Sequence, residues 1–275
     1  MSTAVHVAWG AGSDRGLRRE RNEDSYIAAP PLFLVADGMG GHDAGAEASR
    51  AAVEVFRPLV GKASVTVDDV QTAFRNAVVE VDSIETQRAA AGTTLTGAAI
   101  CEQAGATYWL ILNIGDSRTY RLYGGELEQI SIDHSAVQTL VERGEIDETS
   151  AATHPQRNVV TRAVGAGSSG APDYWLIPAR TGDRLLVCSD GLTKELGFEE
   201  IRAALVAEAA PQAAATRLIH EALLHGGRDN VTVIVVDAHA VADAEDEQTL
   251  PGPDVDEDTL PREPRHGEES PHVIA

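Results

Sequence analysis

Apolar positions recur along this chain in two periods, and the switches between them mark its elements. Leu32 to Ala36 is an unbroken apolar run between Pro30-Pro31 and Asp37-Gly38, which predicts a buried strand opening into a loop. Over 44–60, Ala48, Ala52, Val55 and Leu59 fall at helical spacing. Over 67–88, Val70, Phe74, Ala77, Val81 and Ile84 share one helical face. Thr66 followed by Asp69 has the form of a capping box for the second helix. Strand-like runs then follow closely at 94–101, 107–114, 117–123 and 126–131, with Tyr123-Gly124-Gly125-Glu126 as a hairpin turn. Strand character returns at 184–189 and 231–237, and two helical stretches, 198–209 and 211–225, lie between them.

Residues 134–175 break this pattern. They are mostly polar, with a short helical patch at Val137, Leu140 and Val141 and glycines at 165–170, and they read as an inserted flap. Helices in pairs and strands in runs predict an α+β protein with layered sheets over residues 1–239. From Ala240 to Ala275 the chain has five prolines and few large apolar residues, the composition of a disordered tail. Within it, D-E-x-T-L-P occurs twice, ending at Pro251 and Pro261. This echo reads as low-complexity drift, or else as docking or phosphorylation sites at Thr249 and Thr259.

Composition narrows the function. The formal net charge is -21, and the tail carries 11 Asp or Glu against 2 Arg. Nucleic acid is thereby excluded as a main ligand, because binding it requires basic surface that displaces counterions. No run approaches the ~20 apolar residues of a membrane span, and the first residues lack the charged start and apolar stretch of a secretion signal. The two cysteines, Cys101 and Cys188, sit inside apolar runs and read as buried thiols, consistent with a reducing cytoplasm.

The candidate chemistry lies in acidic residues beside glycine at strand ends: Glu23 and Asp24, Asp37, Asp116, Asp190 and Asp229. One Asp-Gly after a strand is ordinary turn chemistry. Several converging carboxylates would resist ionising unless cations neutralised them. Oxygen donors without a Cys/His cluster point to Mg²⁺ or Mn²⁺. Two such ions can make hydroxide available near neutral pH and polarise a phosphoryl group. Arg19 suits the substrate side, since a guanidinium grips phosphate oxygens in pairs. Taken alone, in the charged stretch Arg18-Arg19-Glu20-Arg21, Arg19 reads as a surface charge.

Eight segments in order carry a family resemblance: S-D-R-G-L-R-R-E-R-N-E-D-S at 13–25, L-V-A-D-G-M-G-G-H at 34–42, G-T-T-L at 92–95, N-I-G-D-S-R at 113–118, D-H-S-A-V-Q-T-L-V at 133–141, H-P-Q-R-N-V-V-T-R-A-V-G at 154–165, C-S-D-G-L-T at 188–193 and G-R-D-N-V-T-V-I at 227–234. On these the chain resembles the bacterial PP2C-type (PPM) protein serine/threonine phosphatases. The resemblance implies an α-β-β-α sandwich that hydrolyses phosphoserine and phosphothreonine in proteins by a metal-bridging hydroxide, opposing Hanks-type Ser/Thr kinases. It implies that Asp37 bridges two Mn²⁺ or Mg²⁺ ions, with Asp190 and Asp229 on the first and Glu23 and the Gly38 carbonyl on the second. Asp24 would be a supporting carboxylate, Asn230 would support Asp229, and Arg19 would hold substrate phosphate.

Two positions depart from the family pattern. A histidine that serves eukaryotic relatives as proposed acid is replaced here by Met39. Nearby His42 is open between proton donor and loop-ordering residue. In many relatives an acidic residue four places after Asp190 helps the residue matching Asp116 hold a third metal. Here Lys194 stands there, and the expectation is that it pairs with Asp116 and leaves two metals. A phosphatase for one dedicated regulator is a second reading, ranked lower for want of fused sensor modules. A metal-free scaffold on the same fold is disfavoured because all the carboxylates are present.

Overall fold

Side-chain alternation decides which way each strand faces, and here it builds three separate cores. The computed structural model describes residues 5–40, 43–84, 91–167 and 170–241. The chain runs β1 (His6–Asp14), β2 (Asp24–Ala29), β3 (Leu32–Met39), α1 (Asp43–Glu54) and α2 (Val67–Asp82), then β4 (Gly92–Thr93), β5 (Leu95–Gln103), β6 (Ala106–Ile114), β7 (Arg118–Tyr123) and β8 (Glu126–Gln129). There follow α3 (Ala136–Glu142), α4 (Glu148–Thr153), β9 (Val164–Gly165), β10 (Asp173–Pro178), β11 (Arg184–Cys188), α5 (Asp190–Thr193), α6 (Phe198–Ala207), α7 (Pro211–His225) and β12 (Val231–Ala240).

One sheet has the order β1-β12-β11-β7-β8; the other runs β10-β6-β5-β3-β4-β9, with β2 paired to β3. Phe33 and Val35 face Leu185, Val187, Ile234 and Val236 in a core between the sheets. The alternate residues Leu32, Leu34 and Ala36 face a second core beneath α1 and α2. On the other sheet, Leu186, Cys188, Val233 and Val235 face a third core with α6 and α7. The result is the four-layer α-β-β-α sandwich. Cys101 and Cys188 are free and buried.

Helix limits follow local chemistry. The stretch expected as a helix over 44–60 ends at Glu54, because a helical Pro58 would clash with the carbonyl four residues back; a 3-10 turn takes Arg57–Leu59 instead. The α2 cap forms as expected: Asp69 N–H donates to Thr66 Oγ1 at 3.1 Å, and Thr66 N–H donates to the Asp69 carboxylate at 2.9 Å. Thr66→Ala should lower stability by about 1 kcal/mol, read as a lower urea midpoint at unchanged m.

Two expectations change. β1 and β2 do not announce themselves, since β1 alternates small residues with half-exposed ones and is defined by its pairing with β12. The inserted region is shorter than 134–175 at its far end, because β10 pairs with β6 as a sheet edge and Trp175 and Ile177 pack against the inter-sheet core. The last strand runs on to Ala240. His42 and the tail repeat with Thr249 and Thr259 lie outside the described residues. Among the described residues no helix is long and apolar enough to cross a membrane.

Candidate metal centre

Antiparallel pairing brings strand starts and strand ends to the same edge of each sheet. Asp24 opens β2 and Asp37 lies near the end of β3, and the two are register partners. Asp116 follows β6, Asp190 follows β11 and Asp229 precedes β12. All the carboxylates expected from the sequence therefore gather at one end of the sandwich, drawn from both sheets.

Each is held by its own contacts. Asp37 N–H donates to Thr94 Oγ1 at 2.9 Å, and its carbonyl accepts from Thr94 N–H and Thr93 Oγ1, both at 2.9 Å. Asp24 Oδ2 accepts from Ser189 Oγ at 2.8 Å and Thr232 Oγ1 at 2.7 Å, both on the opposite sheet's strand ends. Asn230 does more than support Asp229. Its side-chain carbonyl accepts from Glu23 N–H at 2.8 Å, its amide donates to the carbonyls of Arg15 and Arg21, and its own N–H donates to Asp229 Oδ1 at 3.0 Å. It ties the loop bearing Arg19 and Glu23 to the start of β12. Gly45 in α1 leaves room for close approach: a Cβ there would meet Glu23 Oε2 at 2.8 Å and the Gly38 carbonyl oxygen at 3.1 Å. The two oxygens expected to share one ion thus border one small space.

The electrostatics are those of a crowded anion cluster. Burial, then the charges of Asp24, Asp190, Asp116 and Asp229, pushes Asp37 well above the ordinary carboxylate range. Burial also pushes Asp24 up to about 7, against the hydrogen bonds from Thr232 and Ser189 that favour its charged form. Asp116 rises to about 7 through burial and then its neighbours Asp190 and Asp133, with Lys194 opposing. Asp229 differs. Burial raises it, but the hydrogen bond and charge of Lys194, together with Arg19, outweigh that and hold it below its usual value.

Lys194 is where the geometry corrects the expectation. Its ammonium pairs with Asp190 and, at 2.9 Å, with Asp229 Oδ2, not with Asp116, which feels only its charge. The reason is spacing: Lys194 is one helical turn after Asp190 and shares its face. Arg19, half exposed, pairs with Asp229 Oδ1 at 2.8 Å. As the side chains lie, no three acidic, His or Cys groups among the described residues converge tightly enough to hold one ion. The donor set nonetheless fits divalent cations. Asp24 Oδ1 and Asp190 Oδ1 are buried without a hydrogen-bond partner, every donor is oxygen, and the mutual repulsion is what a hard cation removes.

The D-H-S segment at 133–135 takes a structural role that its sequence alone does not reveal. Arg118 grips Asp133 in a two-pronged pair, at 2.9 and 2.7 Å. His134 N–H donates to the Gly115 carbonyl at 2.8 Å, His134 Nδ1 accepts from Gly115 N–H at 3.3 Å, and Nε2 donates to Asp173 Oδ2 at 3.0 Å. These contacts fasten the root of the inserted region to the loop bearing Asp116. The buried hydroxyls of Thr94, Ser189 and Thr232 were likewise missed; their only signal is a Ser or Thr where a strand is otherwise apolar. From the carboxylates a cleft of about 1070 Å³ opens between Arg19, Lys194, Asp116 and the inserted helices.

The sandwich thus sets buried acidic strand ends at the floor of a cleft whose rim carries Arg19 and Lys194. The protein phosphatase 2C family matches residues 18–226, and the chain belongs to that family. Serine/threonine protein phosphatase PstP of Mycobacterium tuberculosis is 41% identical over 264 residues, covering 89% of this chain and 50% of PstP. The chain thus spans half the length of that relative. Serine/threonine phosphatase stp of Listeria monocytogenes is 35% identical, covering 82% of this chain and 93% of its own. The solved catalytic domain of PstP in complex with two manganese ions matches with a TM-score of 0.76 and 38% identity, over 85% of this chain and 99% of that one.

Proposed function

We propose that the chain hydrolyses phosphoserine and phosphothreonine in proteins, using two Mn²⁺ or Mg²⁺ ions held by Asp37, Asp190, Asp229, Glu23 and the Gly38 carbonyl. The observation that carries this reading is the buried anion cluster with unpartnered Asp24 and Asp190 oxygens, set at the end of a cleft rimmed by Arg19 and Lys194. Asp37, drawn into charge contact with both Asp190 and Asp24, is suited to the shared position. Asp190 and Asp229 would hold the first ion, Glu23 and Gly38 the second. When bound, the ions would make hydroxide available near neutral pH and neutralise charge building on phosphorus. Arg19, half exposed and anchored at one end by Asp229, is placed to take substrate phosphate oxygens. Asp24 keeps the cluster's hydrogen bonds in order, and Asp116 is accessory. The phosphoproteins acted on, a Ser/Thr kinase as the opposing partner and a place in the cytoplasm belong to this same reading.

The test is hydrolysis of p-nitrophenyl phosphate with and without Mn²⁺. Activity should need the metal and vanish with chelator; turnover indifferent to both would refute the mechanism. Manganese-soaked crystals should show two anomalous peaks, because the Lys194 ammonium beside Asp190 also exerts its positive charge on Asp116 and opposes a further cation there. A well-occupied third ion on Asp116 would refute that count.

A further inference from the structure

Four large apolar side chains in the lining of the cleft belong to none of the three cores. Ile132 precedes α3, Val137 and Val141 lie on α3, and Phe198 opens α6 with one edge of its ring tilted against Tyr120 at 6.3 Å between centroids. Scattered exposed apolar residues are normal on a protein surface. These four are not scattered: they come from three separate segments, and all line the cleft that ends at Asp190 and Asp229. Ile132 and Phe198 remain 42% and 45% exposed. Helix α3, with four apolar residues in the seven of A-V-Q-T-L-V-E, buries none of them. Its apolar face is thus left for something that enters the cleft.

Resting on the phosphatase reading, we propose that this shelf selects among substrates: the cleft favours phosphorylated segments with a large apolar side chain within two residues of the phosphoserine or phosphothreonine. The shelf and the carboxylates share one cavity, so the occupant reaching one also reaches the other. A cleft of about 1070 Å³ is about 10 Å across if equal-sided, which at the rise of an extended chain holds about three residues. A free phosphate or small phosphoester is too short to touch both ends. A peptide is not, and its apolar neighbour would replace water on Ile132, Val137, Val141 and Phe198. Arg157, in the same lining, adds a cation for the peptide's polar side.

The experiment compares phosphothreonine peptides in which Leu or Ser occupies each position from two before to two after the phosphoresidue. The expected kcat/KM with Leu at the favoured position is about tenfold above Ser, about half or more of the gain from fully burying a Leu. Phe198→Ser and Val141→Ser, each tested singly, should erase that preference while leaving p-nitrophenyl phosphate turnover unchanged. Affinities of matching non-hydrolysable phosphonate peptides should show the same pattern. Equal affinity and turnover for Leu and Ser peptides at every position would overturn the proposal, as would a preference that survives both substitutions. Failure to hydrolyse p-nitrophenyl phosphate would instead count against the phosphatase reading, and the phosphonate affinities would still decide the shelf.

Discussion

Asp37→Asn should abolish nearly all metal-dependent turnover of p-nitrophenyl phosphate while leaving the protein at least as stable as before. The change is nearly isosteric, and the Asp37 backbone stays fixed by Thr93 and Thr94. What is lost is a charge shared between two proposed ions. Several kcal/mol of charge stabilisation at metal sites is about a thousandfold in rate at 1.36 kcal/mol per decade. Stability moves the other way because Asp37 is repelled by Asp24, Asp190, Asp116 and Asp229. Sign and window follow from its raised pKa. A carboxyl held above its unfolded value destabilises the fold once pH passes the ordinary range near 4, so the amide removes a penalty present at neutral pH. Steady-state kinetics and metal-free thermal melts at pH 7 check both halves. Near wild-type turnover would remove Asp37 from the centre, and a large drop in melting temperature would make it a structural residue.

Asp183→Ala should be the most destabilising single change away from the site, by about 3–5 kcal/mol as for breaking a buried pair. Asp183 accepts from Trp109 Nε1 at 3.0 Å, from Arg121 at 2.8 and 2.6 Å, and from Arg180 N–H at 2.8 Å. Its side chain is fully buried and that of Arg121 nearly so, at 12% exposure. Truncation would leave a buried guanidinium, an indole N–H and a backbone N–H without their acceptor. Urea unfolding would report it as a lower midpoint. Because Asp183 sits at the start of β11 and Asp190 beyond its end, turnover of the folded fraction should be unchanged. A loss under 1 kcal/mol would refute the argument.

Much of this was legible before any coordinates. Asp37, Asp190 and Asp229 stand next to apolar strand runs, so the near-continuous apolar runs that locate the strands also locate the acids. The flanking glycines mark where backbone must approach closely, as Gly45 and Gly38 do. Other features were not legible for physical reasons. β1 and β2 are recognised only by pairing, because half-exposed strands carry little hydrophobic contrast. The hydroxyls that hold Asp24 come from two strands distant in sequence, and no local period announces them. The partner of Lys194 is not legible from family position, because the choice between Asp116 and Asp190 turns on helical phase.

The carboxylates come from both sheets, Asp24 and Asp37 from one and Asp190 and Asp229 from the other, and Asp24 already accepts hydrogen bonds from Ser189 and Thr232 across the gap. A cation taken up between them would therefore act as a rivet through the two layers. By linkage, a ligand present at a hundred times its dissociation constant adds about 2.7 kcal/mol to the folded state. The resistance of the sandwich to unfolding would then rise and fall with the free manganese or magnesium around it.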